Sequence, residues 1–222
     1  MGDEEIFDPG LEDAYALETP DDARALYAKW AETYESGFIS ANQYVYHRGV
    51  ARAFVDGADP DAGPVLDVGC GTGLVGEALR ELGVEVIDGI DISPEMLDVA
   101  ATKRTDAGDA VYRAVIEGDL TDALEIESGR YAGMVSAGTF THGHVGPAAL
   151  DELLRIAAPG CRFSLGVNSR VYEGLGFADR FGAEAASGTI SDLELVDVEI
   201  YGTDEGEHAD DVARVVTFTK TP

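Results

Sequence analysis

Val65-Leu66-Asp67-Val68-Gly69-Cys70-Gly71-Thr72-Gly73 constrains the fold of this chain more than any other segment. A short apolar run followed by a glycine-rich stretch reads as a buried strand entering a tight turn. Glycines permit that turn, and without Cβ atoms they leave the backbone open to a ligand. A helix is predicted over 74–82, so the segment is a strand–turn–helix unit. In open α/β sheets ligands bind at the carboxyl ends of the strands, near the switch in strand order.

The rest of the chain extends the same pattern. Strands are predicted at 65–68, 84–90, 111–116, 131–136, 161–167, 194–201 and 212–219, with helices at 74–82, 95–104, 148–157 and 173–184. Strands alternating with helices imply βαβ units and a mainly parallel sheet with both faces covered. The last two strands lack a helix between them. Thr203-Asp204-Glu205-Gly206-Glu207 reads as a hairpin connection, so the final strand should run antiparallel to its neighbour. Upstream, 21–36 and 41–56 read as helices with aromatic residues on one side. Leu26, Tyr27, Trp30 and Tyr34 mark the first, and Tyr44, Tyr46 and Phe54 the second. They either lid a pocket or simply pack, and packing is the expectation for two of Trp30, Phe38 and Tyr46. The fold expected is α/β: a doubly wound, mainly parallel seven-stranded sheet with an antiparallel C-terminal strand and an N-terminal helical cap. One domain is expected over 1–222, with the cap at 1–60 and a Rossmann-like core at 61–222.

Charge excludes some partners. The 222 residues carry 43 Asp and Glu against 15 Lys and Arg, a net charge of −28. The acidic residues are scattered, which fits a solvated surface for a salt-rich, halophilic cytoplasm better than one cationic-substrate site. Such a field opposes a phosphate backbone, so nucleic acid is not an expected partner. No run of about 18 apolar residues marks a membrane span. The acidic start Met1-Gly2-Asp3-Glu4-Glu5 does not resemble a signal peptide, and a cytoplasmic location is expected. Cys70 and Cys161 read as buried free thiols.

The nucleotide is ambiguous at first. Gly71-Thr72-Gly73-Leu74-Val75-Gly76 matches G-x-G-x-x-G, and Asp91 lies 18 residues beyond Gly73 at the end of the second strand. Those two signals fit NAD or S-adenosylmethionine equally, since both contain adenosine. Three features favour the second. Asp67, ahead of the first glycine, would oppose a pyrophosphate but suits an amino group and a sulfonium charge. Asp119, after the third strand, can accept from an adenine amino group. The length leaves no obvious second domain for a hydride-transfer substrate.

Asp67-x-Gly69-x-Gly71-x-Gly73 resembles the first motif of the Rossmann-like S-adenosylmethionine methyltransferases. Gly89-Ile90-Asp91-Ile92-Ser93-Pro94-Glu95-Met96-Leu97 resembles the segment after their second strand, and Gly118-Asp119-Leu120 their adenine-side motif. Trp30-Ala31-Glu32-Thr33-Tyr34-Glu35 is similar to the W-A-x-x-Y-D segment of many small-molecule members. The resemblance covers about residues 27–220. It implies that Asp91 binds the ribose, that Ile92 and Met96 flank adenine, and that Asp119 and Leu120 lie on the adenine side. It places Tyr34 over the cofactor and adds Asp67, Gly69, Cys70, Gly71, Gly73 and Ser136 to the cofactor-binding set. A narrower likeness links Ser136-Ala137-Gly138-Thr139-Phe140-Thr141-His142-Gly143-His144-Val145-Gly146-Pro147 to the methyltransferase-like proteins of the Williams–Beuren syndrome region. Ala132 departs from the wider pattern, which often has Asp there.

Methyl transfer is an in-line displacement at a carbon activated by the sulfonium, so the protein mainly aligns the reactants and excludes water. On the loop after the fourth strand, Thr139 and Phe140 are candidates for the substrate wall. His142 and His144 are candidate general bases, with loop bracing as the competing role. After the fifth strand, Asn168 and Arg170 are candidate substrate contacts, and Arg170 suits a carboxylate. No ligand spacing suggests a metal. The implied activity is S-adenosylmethionine-dependent transfer to a small molecule, leaving S-adenosylhomocysteine. A non-catalytic S-adenosylmethionine-binding partner protein and an NAD-dependent oxidoreductase remain the alternatives. The sequence leaves the oligomeric state open.

Overall fold

The computed structural model describes residues 13, 17, 19–59, 62–141, 145–169, 171–202 and 212–222. Seven strands form one sheet: β1 Val65–Val68, β2 Ile87–Asp91, β3 Ala114–Glu117, β4 Tyr131–Phe140, β5 Ala157–Asn168, β6 Ile190–Glu199 and β7 Val212–Lys220. Their order is β3-β2-β1-β4-β5-β7-β6. Pairing from β3 through β5 is parallel, and β7 inserts between β5 and β6 antiparallel to both. The expected fold class is therefore observed. The 203–207 connection lies outside the described residues.

Alternation along the strands explains the layering. Leu66, Met134 and Val216 point into one apolar cluster, with Leu153, Phe177 and Phe181. Their neighbours Val65, Val135 and Val215 point into another, with Val50, Phe54, Val75 and Leu79. Side chains of a strand alternate between faces, so each face carries its own helical layer. The first layer comprises α5 Leu150–Ile156 and α6 Phe177–Ser187, and the second α2 Tyr46–Val55, α3 Leu74–Glu81 and α4 Pro94–Thr102.

The N-terminal cap begins with α1, Pro20–Trp30. Thr19 caps it, accepting from the Asp22 N–H while the Asp22 carboxylate accepts from the Thr19 N–H, and Pro20 pre-sets the first turn. The predicted helices here are shorter than expected. The first ends at Trp30 and resumes as a π-helical turn over Glu35–Ile39. The second starts at Tyr46, because Gln43 adopts φ +49 and the Val45 N–H donates to Ile200 O. The helix predicted at 173–184 starts at Phe177, behind Gly176 in the left-handed region. At the other end of the core, β4 runs four residues past its predicted end, with a register shift between Ser136 and Phe140.

One polar cluster joins three segments. Asp88 on β2 is buried and accepts from Arg113 Nε at 2.9 Å, from Arg113 Nη2 at 2.6 Å, and from the Tyr131 hydroxyl at 3.0 Å. Removing the charge leaves the buried Tyr131 hydroxyl with a weaker partner. Asp88→Asn should lower unfolding stability by about 2 kcal/mol, the scale of hydrogen bonds to a charged group. The check is a lower denaturant midpoint at unchanged slope. An unchanged midpoint would show that solvent replaces these bonds without loss.

Candidate active site

The glycine turn behind β1 is shaped by close approach. Gly69 (φ +66) and Gly71 (φ +52) both lie in the left-handed region. A Cβ on Gly69 would run into Thr139, whose hydroxyl donates to Val68 O at 3.1 Å. Around Gly71 there is open space, and its backbone faces a cavity.

Asp91 at the end of β2 fixes the turn. One carboxylate oxygen accepts from the Gly71 N–H at 2.8 Å, and the other from the Ser93 N–H at 2.9 Å. Ser93 in turn caps α4 by accepting from the Met96 N–H. Burial pushes the Asp91 carboxyl up, and the amides of Ser93, Gly71 and Ile92 oppose that shift. After β3, the Thr121 N–H and hydroxyl both donate to the same oxygen of Asp119, at 2.8 and 2.6 Å.

These strand ends surround a cavity of about 970 Å³, counted with its open mouth. Gly69, Cys70, Gly71, Asp91, Ile92, Met96, Asp119, Leu120 and Thr139 line its floor and sides. Tyr34, Tyr27, Tyr44 and His47 enter from the cap. Two carboxylates line it, and among the described residues neither Lys nor Arg does. A second cavity of about 660 Å³ adjoins it, sharing Tyr27, Tyr34, Tyr44 and Gly138, and lined also by Phe140 and Asn168. No ligand-sized metal-binding group of three or more His, Cys, Asp or Glu occurs among the described residues. Among them no helix is long and apolar enough to cross a membrane.

The cap rings form a continuous stack. Trp30 meets Tyr34 edge-on at 5.0 Å and Phe38 at 5.3 Å, and Tyr34 stacks on Phe38 at 5.7 Å. Tyr44 stacks on His47 at 5.8 Å. Burial, then the nearby Arg48 and Lys103 charges, pull the His47 imidazole down to about 4, so it is neutral at pH 7. Lys103 ties this cap to the core by reaching Glu35 from the π-helical turn and Glu77 from α3.

Three predicted cofactor residues do not line the cavity. Asp67 is buried, and the Tyr112 hydroxyl donates to it at 2.7 Å. Among the described residues its other oxygen has no hydrogen-bond partner, and burial pushes its carboxyl up to about 7. Gly73 caps α3 from behind the turn. Ser136 donates to Val68 O at 2.7 Å and braces the turn from β4. His142, His144 and Arg170 lie outside the described residues. Conversely, His47, Thr72, Thr121, Thr141 and Tyr201 line the cavities without having been singled out. Tyr201 arrives through the Val45–Ile200 contact, for which the sequence holds no local signal.

Comparison with known proteins bears on the fold. Residues 65–160 match the family model described as a methyltransferase domain. The 18S rRNA (guanine-N(7))-methyltransferase of Bos taurus is 43% identical over 72 residues, covering 32% of this chain and 23% of that protein. The ubiquinone biosynthesis O-methyltransferase of Xanthomonas axonopodis pv. citri is 41% identical over 63 residues, covering 28% of this chain and 26% of that protein. The chain thus spans about a quarter of the length of these curated relatives. Among solved structures, a TehB-like SAM-dependent methyltransferase from Corynebacterium glutamicum superposes with a TM-score of 0.56 at 24% identity, covering 89% of this chain and 99% of that one. The chain has the fold of the Rossmann-like S-adenosylmethionine-dependent methyltransferases.

Asp67 carries a pH dependence. With a carboxyl at 3.8 unfolded and about 7 folded, the native chain holds a proton that the unfolded chain releases. Its stability contribution is full below about pH 4 and is lost as the pH rises to about 7. Asp67→Asn keeps an acceptor for Tyr112 and cannot ionise. Relative to the natural chain, its thermal midpoint should climb between pH 4 and 7 and level off above. A difference independent of pH would mean that Asp67 ionises as an ordinary carboxylate.

Proposed function

We propose that this chain is an S-adenosylmethionine-dependent methyltransferase acting on a small-molecule acceptor. The observation that carries the reading is the pairing of Asp91 and Asp119 at adjacent strand ends, in a cavity lined by neither Lys nor Arg among the described residues. A cationic sulfonium ligand is attracted there. The pyrophosphate of NAD would meet carboxylates and no counter-charge.

The residues fit S-adenosylmethionine on their own chemistry. Each Asp91 oxygen accepts one backbone N–H and keeps a lone pair for a ribose hydroxyl. Ile92, Met96 and Leu120 supply apolar surface for adenine, beside Asp119. The open backbone at Gly71 admits a ligand to van der Waals distance. When bound, the cofactor supplies a methyl group on a positively charged sulfur. Tyr34 and its neighbours close the site from above and exclude water, which strengthens the electrostatic contacts inside. A protonated acceptor must release a proton. His142 and His144 are proposed for that step, together with the neutral His47 of the cavity wall.

Curated relatives act on an rRNA guanine and in ubiquinone biosynthesis, so likeness alone spans both acceptor classes. The net charge of −28 and the concave, aromatic-walled site support the small molecule here.

Calorimetry in high salt should show binding of S-adenosylhomocysteine and none of NAD; the reverse would sink this reading. Asp91→Ala should weaken S-adenosylhomocysteine by about 1.5–3 kcal/mol, roughly ten- to a hundredfold. Unchanged affinity would remove Asp91 from the ribose role. Labelled S-adenosylmethionine incubated with a metabolite extract and, separately, with total RNA should label the metabolites. Label in RNA alone would replace the small-molecule acceptor with a nucleic acid.

A further inference from the structure

We infer that Tyr112 is a positioning residue for the cofactor, and that through Asp67 it makes the glycine turn favour the cationic methyl donor over the product that lacks the sulfonium charge. This rests on the methyltransferase reading, which identifies the two ligands as S-adenosylmethionine and S-adenosylhomocysteine.

Tyr112 lies just before β3, is buried, and lines neither of the two cavities. Three glycines from different elements make room for its ring. A Cβ on Gly73, which caps α3, would stand 2.9 Å from Tyr112 Cε2. One on Gly76, in the first turn of α3, would run into the Tyr112 ring and hydroxyl. One on Gly89 of β2 would meet Cys70 Sγ at 2.8 Å and Tyr112 Cε1 at 3.2 Å. The end of the turn and the start of α3 thus rest against this ring. Of the glycines that spell G-x-G-x-x-G, Gly71 alone has open space beside it, while Gly73 and Gly76 accommodate Tyr112.

The hydroxyl end of Tyr112 donates to Asp67 at 2.7 Å, two residues before Gly69. In the sheet Asp67 stands opposite Gly89 of β2 and Val135 of β4. The titratable groups that face it are Tyr112, Asp91 from the end of β2 and Cys70 from the turn. Burial and Asp91 favour the protonated carboxyl, whereas the Tyr112 hydroxyl and, more weakly, the Gly76 N–H favour the carboxylate. Burial raises the ionisation of Tyr112 itself well above the usual phenol range, so its hydroxyl remains a donor. A carboxylate at Asp67 adds negative charge behind Gly69, whose backbone lines the cofactor cavity. A positive ligand charge in that cavity and the Asp67 charge therefore favour one another, and the coupling is reciprocal. S-adenosylmethionine carries one positive charge more than S-adenosylhomocysteine, and their amino and carboxyl groups are the same. Loss of the Tyr112 hydroxyl should cost the donor more than the product.

Calorimetry with both ligands tests this in high salt, which screens the exposed acidic surface more than the buried Asp67. The quantity read is the ratio of dissociation constants, S-adenosylhomocysteine over S-adenosylmethionine. With the Asp67 carboxyl at about 7, the ratio in the natural chain should climb as the pH rises toward 7 and level off above it. Tyr112→Phe keeps the ring and loses the hydroxyl. Just above neutral pH its ratio should be roughly three- to tenfold lower, the scale of one lost hydrogen bond, and its climb should move to higher pH. Asp67→Asn cannot ionise and should lose the climb near pH 7, and it decides if Tyr112→Phe fails to fold. Asp91 is present in all three chains, so the differences between them isolate Asp67 and its partner. A flat ratio in the natural chain, equal weakening of both ligands at every pH, or a lower thermal midpoint with the ratio unchanged would make Tyr112 a packing residue and overturn the inference. A climb retained in Asp67→Asn would overturn it too. Binding of neither ligand to the natural chain would instead remove the reading on which the inference rests.

Discussion

The two backbone bonds accepted by Asp91 hold the site together. One ends on the Gly71 N–H and the other on the Ser93 N–H, so a single carboxylate joins the turn after β1 to the start of α4. Both donors lie in segments that the sheet alone does not fix. The turn needs positive φ at Gly69 and Gly71, and α4 needs its first amides capped. Thr139 and Ser136 add two hydroxyl bonds to Val68 O from the β4 side. The turn is therefore clamped from both neighbouring strands, and the cavity floor exists before any ligand arrives. Such preorganisation lowers the entropic cost of binding.

Charge acts on two scales here. At long range a net −28 is screened within about 10 Å at moderate salt. Inside the site, screening is weak and two carboxylates act directly. Lys103 links these scales, since its ammonium is shared by Glu35 and Glu77 and is mostly buried. It fastens the cap to the core where surrounding acidity would otherwise push them apart. The backbone bonds from Val45 to Ile200 and from Gly202 to Gln43 fasten the cap's other end, and salt leaves those unaffected.

Much of the fold was legible because the periodicities are local. Strand β1, its glycine turn and α3 follow from residues 65–81, and the antiparallel end follows from two strands without an intervening helix. Asp91 and Asp119 were legible for the same reason, each lying just beyond a predicted strand. Asp67 shows where local reading fails. Its place before the glycines suggested a ligand contact, yet Tyr112, 45 residues away, holds it inside the protein. Ser136 likewise braces β1 and does not face the cavity. His47 and Tyr201 escaped notice because only tertiary packing brings the cap against β6. The aromatic residues of 21–56 were visible as a face, but their partition between packing and cavity was not.

That partition is where the two expectations for the cap meet. Trp30 and Tyr46 are almost wholly buried, as packing residues would be, yet both line the second cavity and both leave a polar atom unpaired. Phe38 lines the same cavity and has no polar atom to leave unpaired. A core that needed only volume would place phenylalanine or leucine at all three positions and avoid the desolvation cost. Trp and Tyr carry that cost without a compensating bond among the described residues. A solved structure at 24% identity shares the fold. In this chain Trp30 and Tyr46 are the cap residues that carry that cost.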